Sequence, residues 1–114
     1  MLKKENRISL NKDFDRVFKF GQSFYSNIIG IKAVDNNLKE PRFGILVSTK
    51  VSKKAVIRNK NRRLIRESIK SLLTEIVTKK DIVVIVFPLI LDKNFQEISQ
   101  DLKRGFKKLG IIKR

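Results

Sequence analysis

Ile82-Val83-Val84-Ile85-Val86-Phe87 is a run of six apolar residues, five of them β-branched, closed by Pro88. A short run without polar alternation reads as a strand covered on both faces, the situation that arises when a helix connects two parallel strands. Extended to Leu91, it is still about half the length a membrane-spanning helix needs. On its N-terminal side Gly and Pro are absent from Ser52 to Thr78, and Ile65, Ile69, Leu72 and Ile76 recur at helical spacing, which predicts the longest helix there. Further back, the β-branched and aromatic residues from about Phe24 to Val34 and from Arg42 to Ser48 read as two strands. Asp35-Asn36-Asn37 joins them as the turn of a predicted hairpin. Before them, Asn11 is placed to cap a short helix, Asp13 and Asp15 suit its first turn, and Gly21 can end it. Phe14, Val17 and Phe18 share one face of that helix. After the apolar run, Asn94 and Glu97 form a capping box for a last amphipathic helix carrying Phe95, Ile98, Leu102, Phe106 and Leu109. The predicted order is α-β-β-α-β-α around one mixed sheet, a single α+β domain over residues 1–114, with a frayed basic tail from about Lys107 to Arg114.

The chain has 114 residues, 27 Lys and Arg against 11 Asp and Glu, a net charge of +16, and neither Cys nor His. One domain fits that length, and 41% hydrophobic residues with 8 Phe can fill its core. Without Cys there is no disulfide framework, thiol nucleophile or cysteine-ligated zinc; without His the usual neutral-pH base and metal ligand are missing. Self-contained catalysis is therefore not expected. So large a positive charge calls for a polyanionic partner, nucleic acid first among them. No apolar segment follows Met1 to Arg7, so neither export nor a membrane is signalled and the expected location is the cytoplasm.

The long helix changes character halfway along. Traced towards its N-terminus, the apolar face passes into Asn61 and Arg58, while Arg58, Arg62 and Arg66 are successive i,i+4 neighbours beside a second row of Asn59 and Arg63. Arginines stacked in this way repel one another unless solvent or phosphate lies against them. Lys50, Lys53 and Lys54 add to the field at the positive end of the helix dipole. An ordinary solvated face is the alternative, and the local lack of acids and the loss of the apolar stripe weigh against it. Asp13 and Asp15 stand about 200° apart on their helix, so they cannot hold one metal ion together.

Phe43-Gly44-Ile45-Leu46-Val47-Ser48-Thr49-Lys50, followed by Ala55-Val56-Ile57-Arg58-Asn59-Lys60-Asn61-Arg62-Arg63-Leu64-Ile65-Arg66-Glu67, resembles the signature of the protein subunit of bacterial ribonuclease P. Asp13-Phe14-Asp15-Arg16-Val17-Phe18-Lys19-Phe20-Gly21-Gln22-Ser23 resembles that family's first-helix motif, and Lys80-Asp81 before an apolar strand resembles its last strand. The likeness covers nearly the whole chain. Two positions depart from it: Asn61, where the family usually has an aliphatic residue, and Phe87, where the strand often ends in a basic one. The resemblance implies a fold like ribosomal protein S5 domain 2, with a left-handed crossover between the parallel strands where the general rule expects a right-handed one. It implies an accessory subunit of an endoribonuclease, in which an RNA subunit with bound magnesium removes the 5′ leader of precursor tRNA and the protein alone is inactive. Carried over to this sequence, Arg58, Asn59, Lys60, Arg62, Arg63 and Arg66, with Lys50, Lys53 and Lys54, would meet the RNA subunit. Phe14, Phe18 and Lys32 would line a cleft for the single-stranded leader. Mg2+ would be held mainly by RNA, and no obligate protein partner is signalled.

From spacing alone, Phe14 and Phe18 read more readily as core residues holding the first helix down, and Lys32 as an exposed strand lysine. A structural ribosomal RNA-binding protein would use the same basic helix without an aromatic cleft. An architectural DNA-binding protein would bind duplex DNA, usually as a dimer.

Overall fold

The computed structural model describes residues 4–113. Along the chain run α1 (Asn11–Phe20), β1 (Gln22–Tyr25), β2 (Ile29–Asp35), β3 (Arg42–Val47), α2 (Ala55–Leu72), β4 (Lys80–Val86) and α3 (Phe95–Lys108), with short 3-10 turns at Lys4–Asn6, Leu73–Glu75 and Pro88–Asp92. The strands make one mixed sheet in the order β1-β2-β4-β3, in which β2 is antiparallel to β1 and β4, and β3 is parallel to β4. The α+β class and the parallel strand-helix-strand unit are as expected from sequence. The apolar strand β4 lies in the interior of the sheet, with Ile82, Val83 and Val84 fully buried.

Alternation along the strands gives the sheet two unequal faces. Ile29, Ile31 and Ala33 of β2, Phe43 and Val47 of β3, and Ile82, Val84 and Val86 of β4 pack with Ile65, Ile69 and Leu72 of α2 and Ile98, Leu102 and Phe106 of α3. At about 1.5–3 kcal/mol for each fully buried large aliphatic side chain, this face supplies most of the stabilisation. The opposite face carries a small cluster of Ile8, Val17 and Val83, bordered by Phe14, Val34 and Ile85, under α1 alone.

The long helix is shorter than expected: α2 stops at Leu72, and Ile76 follows the 3-10 turn Leu73–Glu75 in extended backbone, because it bridges to Ile112 instead of continuing the helical stripe. Four further expectations need correction. The stretch from Phe24 to Val34 is two strands: Ser26 Oγ accepts the amides of Ile28 and Ile29 at 3.2 Å each and is hydrogen-bonded to Asp101 of α3, so the chain turns there. The hairpin is thus β1–β2, and the order gains a strand, α-β-β-β-α-β-α. No hairpin joins β2 to β3, because β4 lies between them. Asn11 does not cap α1; the cap position is Leu10, with no side-chain hydrogen bond, although Gly21 does close the helix.

The fourth is the tail, which is not frayed over its described residues. Gly110, at φ +70°, ends α3 in a Schellman turn, with the Gly110 amide donating to Lys107 O at 3.1 Å and the Ile111 amide to Phe106 O at 2.8 Å. The reversal buries Ile111 and Ile112 in the main core, and Ile112 bridges to Ile76. Arg114 lies outside the described residues. The capping box at Asn94 and Glu97 is present as read.

Candidate nucleic-acid interface

A buried carboxylate fixes the position of α1. Asp81, fully buried at the start of β4, accepts from Arg42 Nε at 2.8 Å, Arg42 Nη2 at 2.6 Å and Asn36 Nδ2 at 3.0 Å. Burial pushes its carboxyl upward, but the hydrogen bonds from Arg42 and Asn36, with the charges of Arg42 and Arg16, outweigh that and hold it below the usual carboxylate range. Asp13 of α1 pairs with Arg42 at 3.4 Å, while Arg16 reaches Asp81 at 3.6 Å and donates to Asp35 O at 2.9 Å. One flank of α1 is thereby tied to the Arg42–Asp81 end of the sheet.

The opposite flank overlooks open sheet. At 100° per residue, Val17 points down at Val83, Asp13 and Arg16 lie to one side of it, and Phe14 and Phe18 to the other. Cross-strand register sets Tyr25, Gly30, Ile85 and Leu46 in one row of this face and Ser23, Lys32, Val83 and Gly44 in the next. α1 packs on the second row, with Val17 on Val83. The Phe14 ring lies against Gly44, where a Cβ would collide with it, and Gly21 at the end of the helix approaches Ala33, so α1 runs from β3 towards β2. The first row is only partly covered: Tyr25 is 57% and Leu46 37% exposed, Ile85 is half-buried, and Gly30 lies beneath the rings of Tyr25 and Phe87.

The result is a groove walled by Phe14 and Phe18, the latter 39% exposed, and floored by the open row. Lys32 stands beside it, Nζ donating to Ser23 Oγ at 2.9 Å and lying 5.9 Å from the Tyr25 ring centroid. Phe14 and Phe18 thus share the flank of α1 that overlooks this sheet face, and Lys32 stands on β2 of the same face. Phe14 is at once a groove wall and a half-buried packing residue, so both readings of it hold in part. Phe20, on the other flank, faces solvent.

At the β3 edge the groove meets α2. Arg7, Phe14, Gly44, Arg62 and Arg66 line a hollow of about 180 Å³ there. Arg62 donates to Asn59 Oδ1 at 2.8 Å and to Val47 O at 3.3 Å, and Arg58 folds back to donate to Ser52 O at 2.9 Å. These arginines are half-buried braces as well as charges. Asn59, Lys60 and Arg63 are exposed, and with Val56 and Arg66 they line a second, outward hollow. Lys50, Lys53 and Lys54 lie exposed just before the helix.

Comparison with known proteins bears on this surface. The ribonuclease P family model matches residues 2–110. The chain is 34% identical to the ribonuclease P protein component of Pseudanabaena sp., covering 98% of this chain and 97% of that one, and 37% identical to that of Bacillus mycoides, covering 96% of each. The chain belongs to the ribonuclease P protein family. Among solved structures, the RNase P protein of Staphylococcus aureus superposes with a TM-score of 0.86 at 33% identity, covering 94% of this chain and 97% of that one. That of Thermotoga maritima gives 0.78 at 29% identity, covering 86% and 92%.

The chain is thus a protein subunit of ribonuclease P, the tRNA 5′-leader-processing ribonucleoprotein, with an RNA subunit as its partner; neither the ribosomal nor the DNA-binding reading is favoured. Asn61, the departure from the family pattern inside α2, is buried and satisfied by donating to Ile57 O at 2.9 Å. The carboxylates do not fit a magnesium site. Asp13 and Asp81 are engaged by Arg42, Asp101 by Arg104 and Ser26, and Asp35 by Lys80, and no three metal-ligating side chains gather among the described residues.

Sequence reasoning missed Tyr25, Leu46, Ile85 and Phe87 as neighbours of the groove. Their shared face depends on registers between strands far apart in sequence, and the mistaken hairpin had hidden those registers. It also missed Asp81 as an anchor, although a carboxylate opening an all-apolar strand is itself a signal that a cation must lie beside it.

Proposed function

We propose that this subunit serves ribonuclease P by two surfaces. The outward face of α2, Asn59, Lys60 and Arg63 with Lys50, Lys53 and Lys54, seats against the phosphates of the RNA subunit. The groove between Phe14, Phe18, Lys32 and the open row holds the single-stranded 5′ leader of precursor tRNA. Arg58, Arg62 and Arg66 brace α2 between the two, with Arg62 and Arg66 also turned towards the strand that enters the groove. Aromatic walls accept any base by its face, and the cations take the backbone, a combination suited to leaders of varied sequence. The chain contributes placement, and Mg2+ would be held mainly by the RNA subunit. The reading sets the complex in the cytoplasm; among the described residues no helix is long and apolar enough to cross a membrane.

The observation that carries this reading is the junction of the aromatic flank of α1 with Arg62 and Arg66 at one hollow. Its test is Phe18→Ala in the assembled holoenzyme. Binding of precursor tRNA is expected to weaken by about 1–3 kcal/mol, the range for one stacked base, with mature tRNA unaffected. Equal weakening of both substrates overturns it.

A further inference from the structure

Beyond the groove walls, the far end of the open row carries a second aromatic surface. Tyr25 of β1 and Phe87, just past β4, are stacked with ring centroids 6.5 Å apart and planes 25° from parallel. Both rings lie on the bare backbone of Gly30, where a Cβ would come within 2.9 Å of Tyr25 and 3.2 Å of Phe87. The pair does not belong to the main core, and Tyr25 remains 57% exposed. Lys32 Nζ lies 5.9 Å from the Tyr25 ring centroid, in the neighbouring row. From Leu46 at the β3 edge to Tyr25 at the β1 edge is three strand spacings, about 14 Å of continuous floor.

We propose that the Tyr25–Phe87 pair is a second stacking subsite, which receives nucleotides of the leader farther from the cleavage point than those held at Phe14 and Phe18. This rests on the leader reading of the groove. A strand entering past Arg62 and Arg66, next to the face turned to the RNA subunit, crosses the row towards β1 and meets the pair last. Its backbone passes Lys32, and a base at the end finds an exposed ring face that discriminates little among bases.

The experiment is a holoenzyme binding series on precursor tRNAs with progressively longer leaders. For the Tyr25→Ala/Phe87→Ala double variant, short-leader substrates are expected to bind as in the wild type, and long-leader substrates at least about fivefold more weakly, the lower end for removal of one stacked base. Tyr25→Phe, which keeps the ring, should retain the long-leader gain. A second readout needs no variant: Tyr25 is the only tyrosine and the chain has no tryptophan. Its emission in the holoenzyme, corrected for RNA absorption, should be quenched saturably by precursor tRNA with a long leader and not by precursor tRNA with a short one. Unchanged emission, or an affinity loss equal at every leader length, overturns the subsite. If the double variant matches the wild type while Phe18→Ala loses leader binding, the subsite fails and the leader reading stands. If Phe18→Ala leaves the leader contribution intact, the leader reading fails and the subsite with it.

Discussion

Asp81 shows how one side chain can position a binding surface it does not touch. Its carboxylate is fully buried against Arg42, which also holds Asp13 of α1. Asp81→Asn leaves Arg42 without its bidentate partner and should cost about 3 kcal/mol, the low end for breaking a buried pair because Arg42 still reaches water. Thermal or urea unfolding measures this. The pH dependence follows from the depressed carboxyl. Stability from this group is fully present above the unfolded-state value of about 3.9 and is lost as pH falls through the lower folded-state value, so wild type and Asp81→Asn should converge in strong acid. A wild-type advantage that persists unchanged there would assign the effect to shape rather than charge. Phe14 and Phe18 separate by the same unfolding measurement. Phe14, half-buried on Gly44, should cost about 2 kcal/mol as Ala, and Phe18, open to water, much less. Sequence spacing put both on one face of a helix. It could not grade them, since burial depends on which sheet residues lie beneath.

Elements were legible where their signals are local. The capping box at Asn94 and Glu97, the apolar stripe of α2 as far as Leu72 and the β-branched run of β4 are each contained within a few residues and form as expected, whereas Ile76 lies beyond the helix in extended backbone. Pairing between β2 and β3 was misread because adjacency in sequence favours a hairpin, whereas a strand buried on both faces needs neighbours on both edges, and β2 and β3 are those neighbours. The charges of the tail suggest fraying, but the apolar pair Ile111–Ile112, turned back by Gly110, is taken up by the core. Gly110→Ala should cost about 1 kcal/mol purely from its left-handed backbone, as a Cβ there meets nothing within 4 Å. Ile111→Ala should cost about 2–5 kcal/mol. If the Ile111 variant unfolds with the wild type, the tail is not part of the core. For α2, the exposed pair Lys60 and Arg63 gives a cleaner electrostatic test than Arg58, which braces Ser52. Their double Ala variant should fold normally and flatten the dependence of log K on log salt for the RNA subunit by about 0.7–0.9 for each phosphate that is no longer neutralised. An unchanged slope would make them solvated charges.

Over the whole molecule, +16 charges on 114 residues oppose compaction. Raising sodium chloride from about 0.01 M to 0.15 M shortens the screening length from about 30 to 8 Å, so the free protein's Tm should rise. A flat Tm would mean the excess charge is already spread too thinly to matter. Asymmetry between the two sheet faces is the global feature that composition could not reveal: one is sealed by two helices, the other half-roofed by α1. The position of β4 has a further consequence, in time. The strand that completes the sheet is synthesised some fifty residues after β2, which at about 5–20 residues per second is a delay of roughly 3–10 s. Until β4 emerges, β2, and β3 once it is made, each keep unpaired the edge that β4 will occupy, and each such edge is a template for the wrong strand. On the ribosome, mutual repulsion among nascent copies of so basic a chain opposes such mispairing, so the charge that suits the protein to RNA also keeps unfinished copies apart.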